Sequence, residues 1–360
     1  MTHVQEPVAG SVISERYFIE KELGRGGFGV VYKARHIDIE HTVALKVLLT
    51  TFAAKDATAV ERFRREAVLA ARLHYPNTVR VFDYGHTDDG VFYIVMEFLE
   101  GHSLDVELAR HGTVPVERTV HICEQVLQSL SEAHAHNIVH RDIKPENIMI
   151  NPLSYDHDFV KVMDFGIAKM VDADMPSLTQ AGKVFGTPKY MAPEQLRGEE
   201  LTPATDVYAV GHIMVEMLTG EAVVKQTTLA AVIQEIVFSP SATLSRELGL
   251  PPGLCDVVDR ACCKDLTRRY ANATLFLNDL RAWRDSQRGE GSGGKLNRVE
   301  EAARHAPHTT RIELPPAEPH PAGPGSAARV VPLPVLLALI GLQILTLLVV
   351  LGIAILVLIG

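Results

Sequence analysis

The chain is short of cysteine, nearly without tryptophan and without any excess of positive charge, and each shortage closes a route. Its 360 residues include 4 cysteines and 1 tryptophan, with 6% aromatics. Cys123, Cys255, Cys262 and Cys263 form no CxxC pair. That excludes a disulfide-stapled scaffold and a thiolate metal cluster, and it fits a reducing compartment in which thiols act as small hydrophobes. Lys and Arg number 35 against 44 Asp and Glu, a formal net charge of -9. Nucleic-acid binding rests on a basic balance or a basic stripe, so no nucleic-acid partner is expected. No internal repeat is visible. Residues 1–14 lack the apolar stretch of a secretory signal. With 22% charged and 47% hydrophobic residues, global disorder is excluded as well. The length suits about two compact units.

One long hydrophobic run is present, at the far end. Residues 335–359 are apolar except for Gln343 and Thr346. Such a run spans roughly 37 Å as a helix at 1.5 Å per residue, and a bilayer core needs about 20 residues. A transmembrane helix is therefore expected over 335–359. The preceding basic residue is Arg329, and the positive-inside rule with the missing signal places the larger N-terminal part in the cytoplasm. The expectation is a single-pass protein of the cell (inner) membrane, touching the lipid bilayer through this helix. No GxxxG lies in the run, so helix-driven dimerisation has no motif support. Residues 286–334, rich in Gly, Ser, Pro and Ala, read as a flexible juxtamembrane tether. Trp283, just ahead of it, is expected to pin the last helix of the folded part.

The folded part is read as 16–285, after an N-terminal extension of 1–15. Its first third alternates with period two around Tyr17–Leu23, Val30–Ala34 and Thr42–Leu48. A helix is expected next, with a capping-box pattern at Thr58 and Glu61. Strands follow at Val79–Tyr84 and Phe92–Phe98. Beyond Gly101 the periodicity is mostly helical, with Val116, Val120, Cys123, Leu127, Leu130 and His134 on one face. A small β-rich lobe thus precedes a larger helical one, and ligands favour the crevice between such lobes.

Five short motifs carry the chemistry. Gly24-Arg25-Gly26-Gly27-Phe28-Gly29 is followed by the strand-forming Val30, Val31 and Tyr32. A dinucleotide fold needs a helix after its last glycine, so a glycine flap between strands is expected instead. Lys46 ends the apolar strand Val43-Ala44-Leu45, which is costly unless its ammonium finds an anion. Glu66 lies on the helix that follows. Then come His140-Arg141-Asp142-Ile143-Lys144-Pro145-Glu146-Asn147, Asp164-Phe165-Gly166, and Gly186-Thr187-Pro188 running to Ala192-Pro193-Glu194. Their joint order resembles the protein kinases, and the texture is most similar to the eukaryotic-like (Hanks-type) Ser/Thr kinases of bacteria, many of them membrane-anchored.

The resemblance implies an α+β, bilobal protein-kinase fold (small β-rich N-lobe, larger helical C-lobe), here with the C-terminal transmembrane helix added. It implies a Ser/Thr protein kinase using ATP and Mg2+, with Mn2+ as a substitute, on protein hydroxyls. Gly24, Arg25, Gly26, Gly27, Phe28 and Gly29 would cover the ATP phosphates. Lys46, held by Glu66, would bind them. Asp142 would orient the substrate hydroxyl and accept its proton, and Lys144 would contact the γ-phosphate. Asn147 and Asp164 would hold the metal. Val31 and Ala44 above the adenine and Met149 below it would form an apolar sandwich. Met96 would be the gatekeeper, and Glu97, Phe98 and Leu99 the hinge.

The resemblance also makes Asp206 a brace for the catalytic loop and pairs Glu194 with Arg269. Arg141 would dock a phosphorylated activation segment, with Thr179 its main autophosphorylation site. Ser177 is a second candidate in that segment, and Thr187 is expected to contact Asp142 and Lys144. A homodimer through the small lobe is implied by analogy alone. The alternative is a catalytically silent, membrane-tethered scaffold. It predicts a missing Lys46, Asp142, Asn147 or Asp164, and all four are present. A metal site at His134, His136 and His140 is disfavoured, because their spacing suits a helix end running into a loop.

Overall fold

Strand alternation and helix faces in this chain sort cleanly by burial. The computed structural model describes residues 6–26, 29–49, 57–165, 188–244 and 248–303, and of the helical residues 57–59, 62, 66 and 289–303 the backbone alone. The small lobe is a six-stranded antiparallel sheet in the order β1-β2-β3-β4-β6-β5. Its strands are β1 (Val12–Ile13), β2 (Tyr17–Arg25), β3 (Gly29–His36), β4 (Thr42–Leu48), β5 (Val81–His86) and β6 (Phe92–Glu97). One face carries Val30, Tyr32, Ala34, Val43, Leu45, Val47 and Val95 into a shared core. The sheet curls until its ends meet: Tyr17 Oη donates to Asp83 Oδ2 at 3.1 Å, from β2 to β5.

Because side chains alternate, the opposite face carries Val31, Ala44, Lys46, Ile94 and Met96. The register pairs Val31 with Lys46, Lys46 with Ile94 and Ala44 with Met96. Helix α1 (Ala57–Ala70) packs Phe63 and Ala67 against Leu48 and Ile94 on this side, with Met96 at the edge of the cluster. The two faces thus divide the labour, one filling a core and the other facing the crevice.

The helical lobe is built on α3 (Val116–Ala135) and α5 (Pro203–Thr219). Nearly every residue of α5 is buried, as expected of a helix apolar around most of its circumference. Pro203 sits in its first turn and Gly220, at φ 75°, ends it in the left-handed region. Between the lobes lie β7 (His102–Ser103), α2 (Leu104–His111) and a second sheet, β7-β8-β9, with β8 (Ile148–Ile150) and β9 (Val160–Val162). The helices α4 (Pro193–Arg197), α6 (Leu229–Phe238), α7 (Pro252–Ala261) and α8 (Ala273–Ala303) follow, with short 3-10 turns at Pro145–Asn147 and Pro188–Tyr190. The segment before β5 is stitched to the helical lobe: Val79 N–H donates to Val162 O at 2.9 Å, and Asn77 Nδ2 donates to Gln125 Oε1 and Val160 O at 2.8 Å each.

Four expectations shift. The helix expected to start after Thr58 already includes it, since caps read from single residues misplace boundaries by one or two positions. The strand expected at 79–84 runs Val81–His86, because Val79 bonds across to β9 instead. Val12 and Ile13 of the N-terminal extension pair with Phe18 and Tyr17, and Ile13 is buried. Helix α8 runs through the stretch expected to begin a flexible tether at 286 and ends at Ala303. The glycines there lower helix propensity, but helix formers follow from Lys295 to Ala303 and carry the backbone on. Trp283 packs against the main core, and the four cysteines are free and buried.

The expected transmembrane segment 335–359 lies outside the described residues. Among the described residues no helix is long and apolar enough to cross a membrane.

Candidate active site

The site is organised from below by Asp206, in the first turn of α5 and 1% exposed. Its carboxylate accepts the His140 N–H at 2.7 Å, the Arg141 N–H at 2.8 Å and the His134 Nε2–H at 2.9 Å. The other nitrogen of His134 accepts the Ala273 N–H at 3.2 Å, which fixes its tautomer. These contacts hold the loop between α3 and β8, where Arg141 is at φ 68°. A non-glycine residue in that region is strained, and such strain persists where its surroundings over-determine it.

His140 is the loop's second support. It is fully buried, donates Nε2–H to Met163 O at 2.9 Å, and accepts the Asp142 N–H at Nδ1 at 3.3 Å. Its ring lies 4.5 Å from that of Phe165. Burial pushes its pKa below the usual histidine value, consistent with a neutral ring that donates on one side and accepts on the other.

Asp142 stands on this platform with its side chain in the crevice. Lys144 Nζ lies 3.1 Å from Asp142 Oδ2. Asn147 Nδ2 donates to the Asp142 backbone carbonyl at 2.7 Å and reaches Oδ2 at 3.3 Å. With its amide protons turned to Asp142, Asn147 keeps its side-chain oxygen for a hard cation. Met163 N–H donates to Asn147 O at 2.9 Å, which sets Asp164 beside Asn147.

Asp164, at φ 51°, pairs with Lys46 Nζ at 2.9 Å across the two lobes. The Lys46 ammonium holds its carboxyl below the usual carboxylate range against the opposing effect of burial. An ionised carboxylate next to an amide oxygen is a two-ligand oxygen set. It fits Mg2+, which usually takes one or two protein oxygens and completes its shell with waters and substrate phosphates. Among the described residues no group of three or more His, Cys, Asp or Glu could hold a metal by itself.

The roof and back of the crevice come from the small lobe. Gly24 has open space where a side chain would project, whereas a Cβ on Gly29 would sit 2.6 Å from Val47 O. The last glycine of the motif is thus demanded by the approach of β3 to β4. The Arg25 side chain is held by Glu22 and Glu6 at 3.0–3.3 Å. Gly27 and Phe28 lie outside the described residues. Val31 and Ala44 share the crevice-facing side of the sheet, and Met149 lies on β8 opposite Lys161. Glu97, Phe98 and Leu99 form the partly exposed connection between lobes. The Lys33 ammonium stands 5.3 Å from the Phe98 ring centroid.

Glu66 lies in α1, but its side chain is outside the described residues, so the expected Lys46–Glu66 pair is too. Ser177, Thr179, Thr187 and Gly166 are likewise outside them. Among the described residues, buried Arg141 Nε has no hydrogen-bond partner. Glu194 and Arg269 meet at 2.7 Å with both side chains almost wholly buried.

Several supports were missed from sequence. Lys161 Nζ and the Arg80 N–H both reach Glu97 Oε1, at 2.6 and 2.7 Å, anchoring the connection to β9. Gln195 Nε2 donates to Arg141 O at 2.9 Å. A Cβ on Gly101 would fall 1.9 Å from Ile150 O. Such pairings join distant positions and leave no periodic trace, although Gly101 was visible as the point where strands give way to helices.

Two buried histidines dictate how the fold responds to acid. His212 on α5 is 2% exposed, and its ring lies 4.1 Å from that of Tyr208 at a tilt. Burial depresses its pKa from 6.5 to about 3, and that of His140 falls in the same direction. The unfolded chain takes up these protons below about pH 6.5, whereas folded His212 resists until about 3. Stability is therefore lost as pH falls through that window, by up to about 1.4 kcal/mol per pH unit for such a group. Urea unfolding followed from pH 7 to 5 is expected to show this decline, with a shallower slope in His212→Leu. Equal slopes in the two proteins would contradict the assignment.

Comparison with known proteins places this geometry. A family model described as a protein kinase domain matches residues 17–279. Serine/threonine-protein kinase pkn3 of Myxococcus xanthus is 37% identical over 330 residues, covering 90% of this chain and 58% of the relative. The probable serine/threonine-protein kinase PknB of Lactococcus lactis is 35% identical over 75% of this chain and 42% of its own length. Serine/threonine-protein kinase PknH of Mycobacterium tuberculosis is 37% identical over 76% of this chain and 42% of its own. The chain thus spans about half the length of these relatives.

Proposed function

The chain belongs to the protein kinase family, and from that premise we propose that it is an ATP-dependent Ser/Thr protein kinase acting in membrane-associated signalling. The observation that carries the reading is the Lys46–Asp164 pair across the lobes set beside the cluster of Asp142, Lys144 and Asn147, the two joined through the Met163 N–H to Asn147 O bond. Phosphoryl transfer needs positioning and charge neutralisation more than covalent help, and this network supplies both.

In this reading the adenine lies between Val31, Ala44 and Met149 and bonds the backbone of 97–99. Lys46 draws the α- and β-phosphates toward Asp164. Mg2+, or Mn2+ in its place, would be held by Asn147 and Asp164 and would neutralise phosphate charge. Asp142 orients the incoming Ser or Thr hydroxyl and takes its proton, and Lys144, already beside Asp142, steadies the transferred phosphoryl group. The names of the relatives, all serine/threonine-protein kinases, support this choice of acceptor. The silent-scaffold alternative has no such support, since every group it would lack is present and networked.

We further propose that residues 335–359 anchor the chain in the inner membrane as a single pass, with the kinase domain in the cytoplasm. Autophosphorylation would fall on Thr179, with Arg141 receiving the phosphate. The whole chain, given Mg-ATP and casein, is expected to yield phosphoserine and phosphothreonine without phosphotyrosine. ATP binding without transfer to any hydroxyl would favour the scaffold. Washing with carbonate should leave the chain in the membrane fraction, and its release would remove the anchor.

A further inference from the structure

The residue between the first two glycines of the flap is held from two sides, and one of its two partners comes from outside the region matched by the kinase model. Arg25 donates to Glu22 on its own strand and, at 3.0 Å, to Glu6. Glu6 opens a segment secured along its length. Tyr32, 2% exposed, donates its hydroxyl to Pro7 O at 2.8 Å. Ser11 closes a turn on Val8, with its hydroxyl 2.6 Å from Val8 O. Gly10 N–H donates to Ile19 O, and Ile19 N–H donates to Ser11 O, at 2.9 Å each. Val12 and Ile13 then pair with β2. The strap therefore runs from the edge of the sheet to the mouth of the flap.

The chemistry of the flap says why this matters. Glycines carry the largest backbone entropy, so a loop built on Gly24, Gly26, Gly27 and Gly29 is costly to order over a nucleotide. Gly24 meets nothing that would restrain a side chain there. Arg25 is the one side chain between the first two glycines, and fixing it fixes the entry to the flap. We propose that the N-terminal segment 6–13 is a positioning strap for the glycine flap, acting through Glu6 on Arg25. Glu6 acts through Arg25 rather than on the nucleotide, so its loss changes how the start of the flap is held, not the transfer step.

The inference rests on the kinase reading for its kinetic arm and is independent of it for its proteolytic arm. In the whole chain, Glu6→Gln is expected to raise the KM for ATP about two- to fivefold, the range of a partly exposed ion pair, with kcat unchanged. The increase should shrink at high salt. In an Arg25→Gln background the same substitution should have no further effect. Trypsin should cut after Arg25 faster in Glu6→Gln than in the wild type, whether or not the protein transfers phosphate. Tyr32→Phe, which frees Pro7, should reproduce both changes. If the wild type fails to phosphorylate anything but the cleavage difference holds, the kinase reading falls and the strap stands. Equal cleavage in wild type and Glu6→Gln, or a KM effect of Glu6→Gln that persists without Arg25, would overturn the strap.

Discussion

Asp142→Asn is expected to lower the phosphoryl-transfer rate by about 10²–10⁴-fold, the usual contribution of a positioned proton acceptor. That corresponds to roughly 2.7–5.5 kcal/mol of barrier at 1.36 kcal/mol per tenfold. The substitution keeps the size of the side chain and leaves the loop intact, because the loop is held by Asp206 and His140 through the backbone of 140–142. It removes the charge that now pairs with Lys144 at 3.1 Å. ATP should therefore bind as well as before or slightly better, since the Lys144 ammonium is released toward the phosphates. The thermal midpoint should stay close to that of the wild type. A variant retaining more than a tenth of the rate would show that Asp142 is not the proton acceptor.

Arg269→Met should produce the largest loss of stability, about 3–5 kcal/mol, the cost of leaving a buried charge without its partner. Arg269 is fully buried and its guanidinium is heavily committed. It donates to both carboxylate oxygens of Glu194, to Cys263 O at 2.6 Å, to Ala204 O at 3.0 Å and to Lys264 O at 3.3 Å, and it lies 4.8 Å from the Tyr208 ring. Without it, Glu194 keeps the Thr205 hydroxyl at 3.1 Å, too little for a buried carboxylate. At about 2–4 °C per kcal/mol for a domain of this size, the midpoint should fall by roughly 6–20 °C. The double variant Arg269→Met with Glu194→Leu should recover much of that, because two well-packed apolar groups leave nothing unpaired. A double variant no more stable than Arg269→Met would mean that the loss comes from packing rather than charge. The pair also bears on the site. Gln195, the next residue along α4, bonds Arg141 O, so loosening Glu194 loosens the segment beside Asp142.

What could be read in advance follows from the range of the interactions. The β2–β3 hairpin was legible because Val30 and Val31 continue a strand where a dinucleotide fold would need a helix. Lys46 was legible as a lysine ending an apolar strand that needs an anion, and Asp164 supplies one at 2.9 Å. The loop from His140 to Asn147 was legible as a motif, and the structure adds why it holds: Asp206 and His140 satisfy its backbone from beneath. The hidden parts depend on partners far along the chain. Arg25 was legible as part of a glycine flap, but its partner Glu6 was not, because the fold of the preceding segment brings it there. Glu97 looked like a stretch of hinge backbone, while its carboxylate is occupied by Lys161 and Arg80. Helix α8 continued across a glycine-rich stretch because local propensity is a weak prior that the flanking turns override.

The measurement that bears most directly on the central claim is phosphosite mass spectrometry of the whole chain after incubation with Mg-ATP, beside Asp142→Ala. The account predicts phosphate on Thr179 in the wild type and none in the variant. Phosphate in neither protein, with ATP bound by both, would contradict it.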